Sequence, residues 1–214
     1  RDIPVVMTLH DFKMVCTSYY MFADSKICEA CRMGRFYMAI ARRCVKDSLT
    51  KSAIATLEMY LHQKILDIYS NVDIFISPSL FLKNKLLENG FRKKVTHLSN
   101  FIDNKWITQL NKEKINKETS STLTYVGRLS HEKGLYTLLD AARLLQSAGR
   151  MVQIKIIGGG PLKEDLQEKV KLGQINNVKF LGFMNHKDVY SEVEKSVALI
   201  LPSEWYENNP MAIL

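Results

Sequence analysis

The stretch LTYVGRLSHEKGLYTLLDAARLL, residues 123–145, decides the fold class of this 214-residue chain. An apolar run rich in strand-forming residues ends at Gly127, and a short charged loop follows it. After Gly134 the apolar residues recur at helical spacing. The stretch therefore predicts a strand, a loop and a helix, which is the unit from which doubly wound α/β folds are built.

The same alternation extends along the rest of the chain. Apolar, β-rich runs predict strands at 4–9, 73–77, 95–98, 123–126, 152–157, 178–181 and 197–201. Helical patterns occupy 36–70 (one long amphipathic helix or two shorter ones), 80–89, 135–148, 162–172, 186–195 and a start near Asn208. The polar stretch 100–122 interrupts this rhythm and is typical of a linker. We therefore predict two α/β domains, 1–103 and 104–214, joined near Asp103.

Composition and charge narrow the function classes. Hydrophobic residues at 46% and charged residues at 24% are ordinary for a soluble globular protein. The N-terminus lacks the apolar core and cleavage site of a signal peptide, and we expect further residues upstream of it. The net charge of +8 favours anionic ligands or membrane headgroups. Since no nucleic-acid recognition motif accompanies that charge, we predict no nucleic-acid partner.

Charged residues occur in the loop of the opening stretch. A loop that leaves the carboxyl end of a parallel strand is where α/β folds bind ligands. Arg128 and Lys133, five residues apart, could together grip one diphosphate, the arginine through its planar fork and the lysine as a point charge. A pair of solvated surface cations fits the residues equally well. The loop alone leaves both interpretations open.

Two further loops follow predicted strands. In IKIIGGGPLKEDL, residues 154–166, Gly158, Gly159 and Gly160 would let a ligand approach the backbone, although a simple tight turn explains them as well. In LPSEWYENNPMAIL, residues 201–214, Glu207 precedes a predicted helix start that would attract an anion. Glu207 could accept hydrogen bonds from sugar hydroxyls, or it could simply complement the helix dipole.

Taken in order, YVGRLSHEKG, IIGGGP, VKFLGF and LPSEWYENNPMAIL resemble the donor-binding domain of family 4 glycosyltransferases. These enzymes have the GT-B fold of two Rossmann-like domains. VVMTLHDF and the stretch from NVDIFISPS to LSNFID are similar to the end of the acceptor-side domain. The resemblance implies that 1–103 is the C-terminal part of the acceptor domain with a Cys-rich insertion. It also implies that 104–214 is the N-terminal part of the nucleotide-sugar domain, with both domains incomplete.

The resemblance also implies roles for individual residues. Arg128 and Lys133 would neutralise the leaving diphosphate without a metal, and Glu207 would hold the transferred sugar. His10, after the first strand, would touch the sugar or stabilise charge near the reacting carbon. Without the resemblance, a structural histidine at a strand end is the simpler interpretation. The implied donor-binding set is Gly127, Arg128, Lys133, Gly158, Gly159, Gly160, Glu207, Asn208, Asn209, Pro210 and Met211.

The family pattern of two glutamates separated by seven residues sets a further expectation. It puts the partner of Glu207 just after Leu214, so we expect an interior fragment that is inactive alone. The implied reaction is retaining transfer of a sugar from a nucleotide-diphosphate sugar to a glycan or lipid-linked acceptor, in bacterial polysaccharide assembly. Another GT-B activity, such as an epimerase or a phosphorylase, or a non-catalytic zinc-containing interaction module, remains the alternative.

The four cysteines of the chain all fall within residues 16–44. Cys28 and Cys31 form a Cys-x-x-Cys pair, which could chelate Zn²⁺ together with Cys16 and Cys44 as a structural site. The alternatives are reduced thiols, with Cys44 buried in a helix, or a regulatory disulfide.

Basic residues lie among apolar ones in 36–70. This segment could therefore contact anionic membrane peripherally, or it could be a helix packed on its own domain. We therefore expect a cytoplasmic protein, with the inner face of the cell membrane as an open alternative.

Overall fold

The computed structural model describes residues 3–101 and 121–213, which form two compact units. Unit 1 comprises Arg1–Phe101 and Trp205–Pro210, and unit 2 comprises Ile102–Glu204 and Met211–Leu214. The predicted domain boundary near Asp103 lies outside the described residues, so its position stays a prediction.

Unit 1 is built on a short parallel sheet. Its strands are β1 (Val6–Thr8), β4 (Ile74–Ser77) and β5 (Val95–His97), in the order β1-β4-β5. Along the chain, the segment that connects β1 to β4 contains a small, separate antiparallel hairpin of β2 (Phe22–Ala23) and β3 (Lys26–Ile27). The parallel strands lie within the predicted runs 4–9, 73–77 and 95–98. Phe75 and Ser77 of β4 are buried, whereas β1 is mostly exposed.

The helices of unit 1 are α1 (Met38–Ala41), α2 (Leu49–Tyr60) and α3 (Leu80–Glu88). A π-helical turn (Leu61–Ile65) and two 3₁₀ turns (Arg32–Gly34 and Ile68–Asn71) accompany them. Of the two alternatives predicted for 36–70, one long helix is therefore wrong, and two shorter helices form instead. Arg43, Lys46 and Asp47 adopt left-handed backbone angles that end α1, and Ser48 then caps α2 by accepting a hydrogen bond from Lys51.

The core of unit 1 lies between the sheet and α3. Leu82 and Leu86 of α3 are fully buried and pack with Phe75 and Val95 of the sheet. Ser79 caps α3, since its hydroxyl accepts a hydrogen bond from the Leu82 amide. Only Pro78 separates Ser79 from β4, so the cap fixes the loop at the carboxyl edge of the sheet.

Unit 2 contains a four-stranded parallel sheet. Its strands are β6 (Thr122–Val126), β7 (Gln153–Ile157), β8 (Val178–Gly182) and β9 (Ala198–Leu199), in the order β8-β7-β6-β9. The helices are α4 (Leu135–Ser147), α5 (Lys163–Leu172) and α6 (His186–Glu194), and a 3₁₀ turn spans Met211–Ile213. Near the predicted helix start at Asn208, the structure shows the 3₁₀ turn that begins at Met211, while Asn208 and Pro210 lie outside regular structure.

The strand order of unit 2 places a topological switch point between β6 and β9. The chain runs outward from β6 through β7 to β8, and then returns to the other side of β6 with β9. A core of apolar side chains from α4, α5 and the central strands holds this sheet, with Leu135, Leu139, Ile156 and Leu166 fully buried. Open α/β sheets bind ligands outside the strand carboxyl ends at such a switch point.

Among the residues that the structure describes, we find no helix with the length and apolar character needed to span a bilayer.

Candidate active site

The loop after β6 lies at the switch point of unit 2. It runs from Gly127 to Gly134 and contains a 3₁₀ turn over His131–Lys133. Leu129 points into the core and is 1% exposed, whereas Arg128 beside it is exposed. The buried leucine therefore anchors the loop and leaves the neighbouring guanidinium accessible to a ligand.

Hydrogen bonds fix the conformation of this loop. The hydroxyl of Tyr125 donates to the carbonyl of Arg128 at 2.8 Å, and Ser130 donates to the Glu132 carboxylate at 2.6 Å. The amide of Lys133 closes the 3₁₀ turn on Ser130 at 3.1 Å. Because these partners are buried or half-buried, the backbone that carries Arg128 and Lys133 is preorganised.

Glycines let the neighbouring loops pack backbone against backbone. A Cβ atom on Gly158 would lie 2.0 Å from the carbonyl oxygen of Gly127, and one on Gly160 would lie 2.4 Å from that of Leu129. Two backbone hydrogen bonds join the same loops, Leu129 to Gly159 at 3.0 Å and Leu162 to Leu129 at 3.1 Å. Gly158 and Gly160 thus fit the loop after β7 against the cationic loop, and Gly159 alone has open space at its Cβ position.

The loop after β9 packs against the same region of unit 2. A Cβ atom on Gly134, which has φ +65°, would lie 2.0 Å from the carbonyl oxygen of Pro202. The amide of Glu204 donates to the carbonyl of Glu132 at 3.0 Å, and Thr137 of α4 donates to the Glu204 carboxylate. The sequence analysis gave Glu204 no role, because its partners lie about 70 residues away along the chain.

The electrostatics of this edge favour an anion. Arg128 makes no ion pair within residues 3–101 and 121–213. The amino end of α4, which begins at Leu135, adds the positive end of a helix dipole beside the loop. Two cations and a helix start at the carboxyl edge of a parallel sheet can stabilise the negative charge of a diphosphate.

The predicted residues His10 and Glu207–Pro210 lie in unit 1. His10 is exposed and follows β1, and its carbonyl accepts a hydrogen bond from the Asn208 side chain at 3.1 Å. The other side of that amide accepts from Ser79 at 2.7 Å, and Asn209 donates to the carbonyl of Pro78 at 3.2 Å. Both asparagine side chains therefore attach the segment to the carboxyl ends of β1 and β4.

Tyr206, beside Glu207, is held by a cluster that the sequence analysis missed. Its hydroxyl donates to Glu29 at 2.8 Å, and Lys85 donates to the same carboxylate oxygen at 3.0 Å. The ring of Tyr206 also contacts Phe12 and Phe81, with centroid distances of 6.1 and 5.0 Å.

The pKa values of Glu29 and Lys85 in this cluster are both shifted from their ordinary values. Burial opposes ionisation of Glu29, but the hydrogen bonds from Lys85 and Tyr206 and the Lys85 charge outweigh it, so its pKa is lowered. For Lys85, hydrogen bonds to Glu88 and Glu29 raise the pKa. The cluster is thus an ionic one, and it fixes the ring that precedes Glu207.

The structure distributes the predicted site residues over the two units. Gly127, Arg128, Lys133, Gly158–160 and Met211 belong to unit 2, whereas His10 and Glu207–Pro210 belong to unit 1. Met211 is exposed in the final 3₁₀ turn. The catalytic and donor-binding roles given to these residues stay predictions.

The four cysteines are free thiols in unit 1. Cys44 lies between α1 and α2, so its predicted place in a helix is wrong. Burial and the neighbouring thiols raise the pKa of Cys44 to about 12, and burial and Cys16 raise that of Cys31. Among the described residues, no three His, Cys, Asp or Glu side chains are placed at the mutual distances of a formed metal site.

Comparison with known proteins agrees with this architecture. The family described as "Glycosyl transferases group 1" matches residues 107–214. A curated relative, 2-deoxystreptamine N-acetyl-D-glucosaminyltransferase of Niallia circulans, is 30% identical over 132 residues, which are 58% of this chain and 33% of that protein. The chain spans between a quarter and about half of the length of such curated relatives.

Two solved structures share the fold. A mutant of S. aureus TarM, in complex with Fondaparinux, alpha-GlcNAc-glycerol and UDP, has a TM-score of 0.59 at 15% identity, covering 71% of this chain and 29% of TarM. Anabaena HepE in complex with UDP has a TM-score of 0.52 at 17% identity, covering 94% of this chain and 47% of HepE. With a family match over half of its length, and with parallel α/β units of the GT-B type, this chain belongs to the glycosyl transferases group 1 family.

Proposed function

We propose that the whole protein is a retaining glycosyltransferase that moves a sugar from a nucleotide-diphosphate sugar to a glycan or lipid-linked acceptor. The observation that carries this proposal is the cationic loop of unit 2. Arg128 and Lys133 lie on a preorganised loop at the carboxyl edge of β6, at the switch point of a parallel sheet. Family membership supports sugar transfer as the reaction class.

In the proposed mechanism the main task is to stabilise the departing diphosphate. Arg128, Lys133 and the amino end of α4 supply fixed positive charge, which replaces a divalent metal ion. Because the loop is held by hydrogen bonds and by glycine packing, little reorganisation accompanies the charge that develops. Bond breaking then leads through an oxocarbenium-like state to attack on the same face of the sugar.

The proposed roles in unit 1 concern the sugar. Glu207 would accept hydrogen bonds from hydroxyls of the transferred sugar, and His10 would touch that sugar or stabilise charge near its reacting carbon. The side chains of Asn208 and Asn209 already hydrogen-bond within unit 1, so their contribution would come from backbone amides. Gly159 is the residue of the loop after β7 with room for a close ligand.

Family membership and the names of the relatives support the proposed sugar and acceptor classes. The name of the Niallia circulans relative gives a sugar transferase, which supports a hexosyltransferase type here. Another relative, at 32% identity over 79 residues, is named O-antigen chain mannosyltransferase C of Escherichia coli, which supports a role in polysaccharide assembly. A peripheral membrane contact also stays a proposal, and pelleting with anionic vesicles would test it.

The proposal is tested by calorimetric titration of the full-length protein with UDP, GDP, ADP and CMP. We expect one diphosphate to bind, and Arg128→Ala to weaken its binding by roughly tenfold or more, since a charge-assisted hydrogen bond is worth about 1.5–3 kcal/mol. Arg150→Ala is the matched control, because Arg150 is also exposed but precedes β7 at the opposite edge of the sheet. Absence of binding by all four nucleotides, or equal effects of both variants, would contradict the proposed donor site.

A further inference from the structure

The four cysteines of the chain surround one small cavity in unit 1. Cys16, Cys28, Cys31 and Cys44 all line it, although they are spread over the sequence and none belongs to a helix or strand. The free volume of the cavity is about 10 Å³, which is close to that of one water-sized sphere. A void of this size among four sulfur-bearing side chains suits a single ion rather than a larger ligand.

The segment that carries these cysteines has little regular structure of its own. Between His10 and Asp47 the structure shows only a hairpin with two residues in each strand, one 3₁₀ turn and the four-residue α1. Eight non-glycine residues of this segment adopt left-handed backbone angles: Tyr19, Met21, Asp24, Ser25, Met33, Arg43, Lys46 and Asp47. Such angles are unfavourable for residues with a Cβ atom, so the surrounding structure has to enforce them.

Phe12, Met14, Val15 and Met21 of this segment belong to the main core of unit 1, so few apolar side chains remain beside the cavity itself. The cluster next to the cavity consists of the buried residues Cys31, Phe36, Ala39 and Met59. Segments that cannot bury a sizeable core are commonly stabilised by a metal or by disulfides. The structure contains free thiols here and no disulfide.

The local charge complements a metal–thiolate centre. Four thiolates around one Zn²⁺ leave a net charge of −2, and residues 16–47 carry six Lys or Arg against three Asp or Glu. Arg42 itself lines the cavity, where it also pairs with Asp24 at 3.5 Å. A cation beside the cavity would disfavour a bare metal ion, but it stabilises the anionic complex that four thiolates form.

We propose that Cys16, Cys28, Cys31 and Cys44 bind one Zn²⁺ as a structural tetrathiolate site that fastens residues 16–44 to unit 1. Binding forms four Zn–S bonds and releases four protons from the thiols, with no change of oxidation state. As placed, no three of these sulfur atoms lie at the mutual distances of a metal site, so the proposed binding requires them to move together. None of these cysteines is a proposed donor ligand, so metal binding is measured separately from binding of the nucleotide.

The first measurement is the metal content of the full-length protein, purified under reducing conditions without chelator. We expect about one equivalent of zinc per chain, and four thiols that react with a thiol reagent only after the zinc has been removed. Less than a tenth of an equivalent, with all four thiols freely reactive or two of them oxidised to a disulfide, would overturn the proposal.

A second measurement does not depend on the metal present after purification. Metal-free protein titrated with Co²⁺ should develop the intense visible bands of tetrahedral cobalt–thiolate coordination, with an end point near one equivalent. Cys28→Ser should lower the intensity of these bands several-fold. Ser18→Ala should lower them much less than Cys28→Ser does, because Ser18 lines the same cavity and hydrogen-bonds to Cys16 at 3.4 Å without being a proposed ligand. Weak octahedral bands in the parent protein would contradict a tetrathiolate site even if every cysteine variant failed to fold.

Discussion

The glycine packing at the candidate site makes a sharp prediction for Gly158→Ala. Gly158 has φ +132°, and its added Cβ would lie 2.0 Å from the Gly127 carbonyl oxygen, whereas real Cβ atoms essentially never approach closer than 3.0 Å. Gly127 must therefore retreat by about 1 Å. Both atoms belong to backbone, so no flexible side chain can absorb the overlap.

The cost of Gly158→Ala follows from the contacts that this movement breaks. Two backbone hydrogen bonds of 3.0 Å are at risk, Gly127 to Ile157 and Leu129 to Gly159, and each contributes about 1 kcal/mol. The unfavourable backbone angle of an alanine adds about 1–3 kcal/mol. We expect the free energy of unfolding of unit 2 to fall by about 4 kcal/mol, with weaker diphosphate binding because Arg128 lies between the displaced residues.

The assay is hydrogen exchange measured by mass spectrometry on peptides that cover β6 and β7. This readout isolates unit 2, whereas a global melting curve would mix the unfolding of both units. Gly159→Ala is the matched control, since its Cβ meets nothing within 4 Å, and we expect a change below about 1 kcal/mol. If Gly158→Ala proved as mild as Gly159→Ala, the packing explanation for these glycines would be wrong.

Three further predictions concern stability. Leu139→Ala, at a fully buried position of α4, should lower the free energy of unfolding by about 3 kcal/mol, while Leu144→Ala, 68% exposed on the same helix, should change it by less than about 0.5 kcal/mol in the same exchange assay. Lys155→Met should lower the free energy of unfolding of unit 2 by about 1 kcal/mol at pH 7 in the exchange assay, because it removes the 2.6 Å ion pair of Lys155 with Glu192. The difference should vanish at acid pH as the carboxylate is protonated. Because the pKa of Glu29 is lowered in the folded protein, its ionised carboxylate contributes to the free energy of unfolding above about pH 4.5. That contribution is lost as the pH falls through the folded-state pKa. Glu29→Gln should therefore make stability depend less on pH in this acid range.

The strands could be predicted from sequence because their runs are short, apolar and rich in β-branched residues. The run 152–157 carries Val152, Ile154, Ile156 and Ile157, and the structure forms β7 at Gln153–Ile157. Such apolar, β-branched runs indicate a central parallel strand without any knowledge of its neighbours. The cationic loop could be located for a related reason, since a loop after a central strand must emerge at the carboxyl edge.

The helical region 36–70 could not be predicted in the same way. Its apolar spacing continues through Arg43–Asp47, where the backbone turns left-handed instead of remaining helical. Tertiary contacts enforce the break: the Val45 amide donates to Ser52, and Thr56 donates to the carbonyl of Phe36. In the sequence, the start of the second helix is indicated by the polar residues before Leu49, among which Ser48 is the helix cap.

The glycines of the loop after β7 show a second limit of sequence reasoning. From the sequence, Gly158–160 indicated either room for a ligand or a tight turn, because both need residues without a side chain. The structure places Gly158 and Gly160 against Gly127 and Leu129, about 30 residues earlier in the chain. A requirement set by distant backbone leaves no periodicity or spacing in the local sequence, so only the fold could reveal it.

Contacts between residues that are distant in sequence also relate the four cysteines to Glu207. Glu29 lies between Cys28 and Cys31, and its carboxylate accepts a hydrogen bond from Tyr206, 177 residues further along the chain. A Zn²⁺ ion bound by both cysteines would fix the backbone on either side of Glu29, and therefore the carboxylate that holds Tyr206. Because Glu207 follows Tyr206 directly, the proposed metal site would stabilise the placement of the proposed sugar-binding glutamate without touching the sugar. This coupling gives the Cys-rich segment a structural reason to accompany a glycosyltransferase fold.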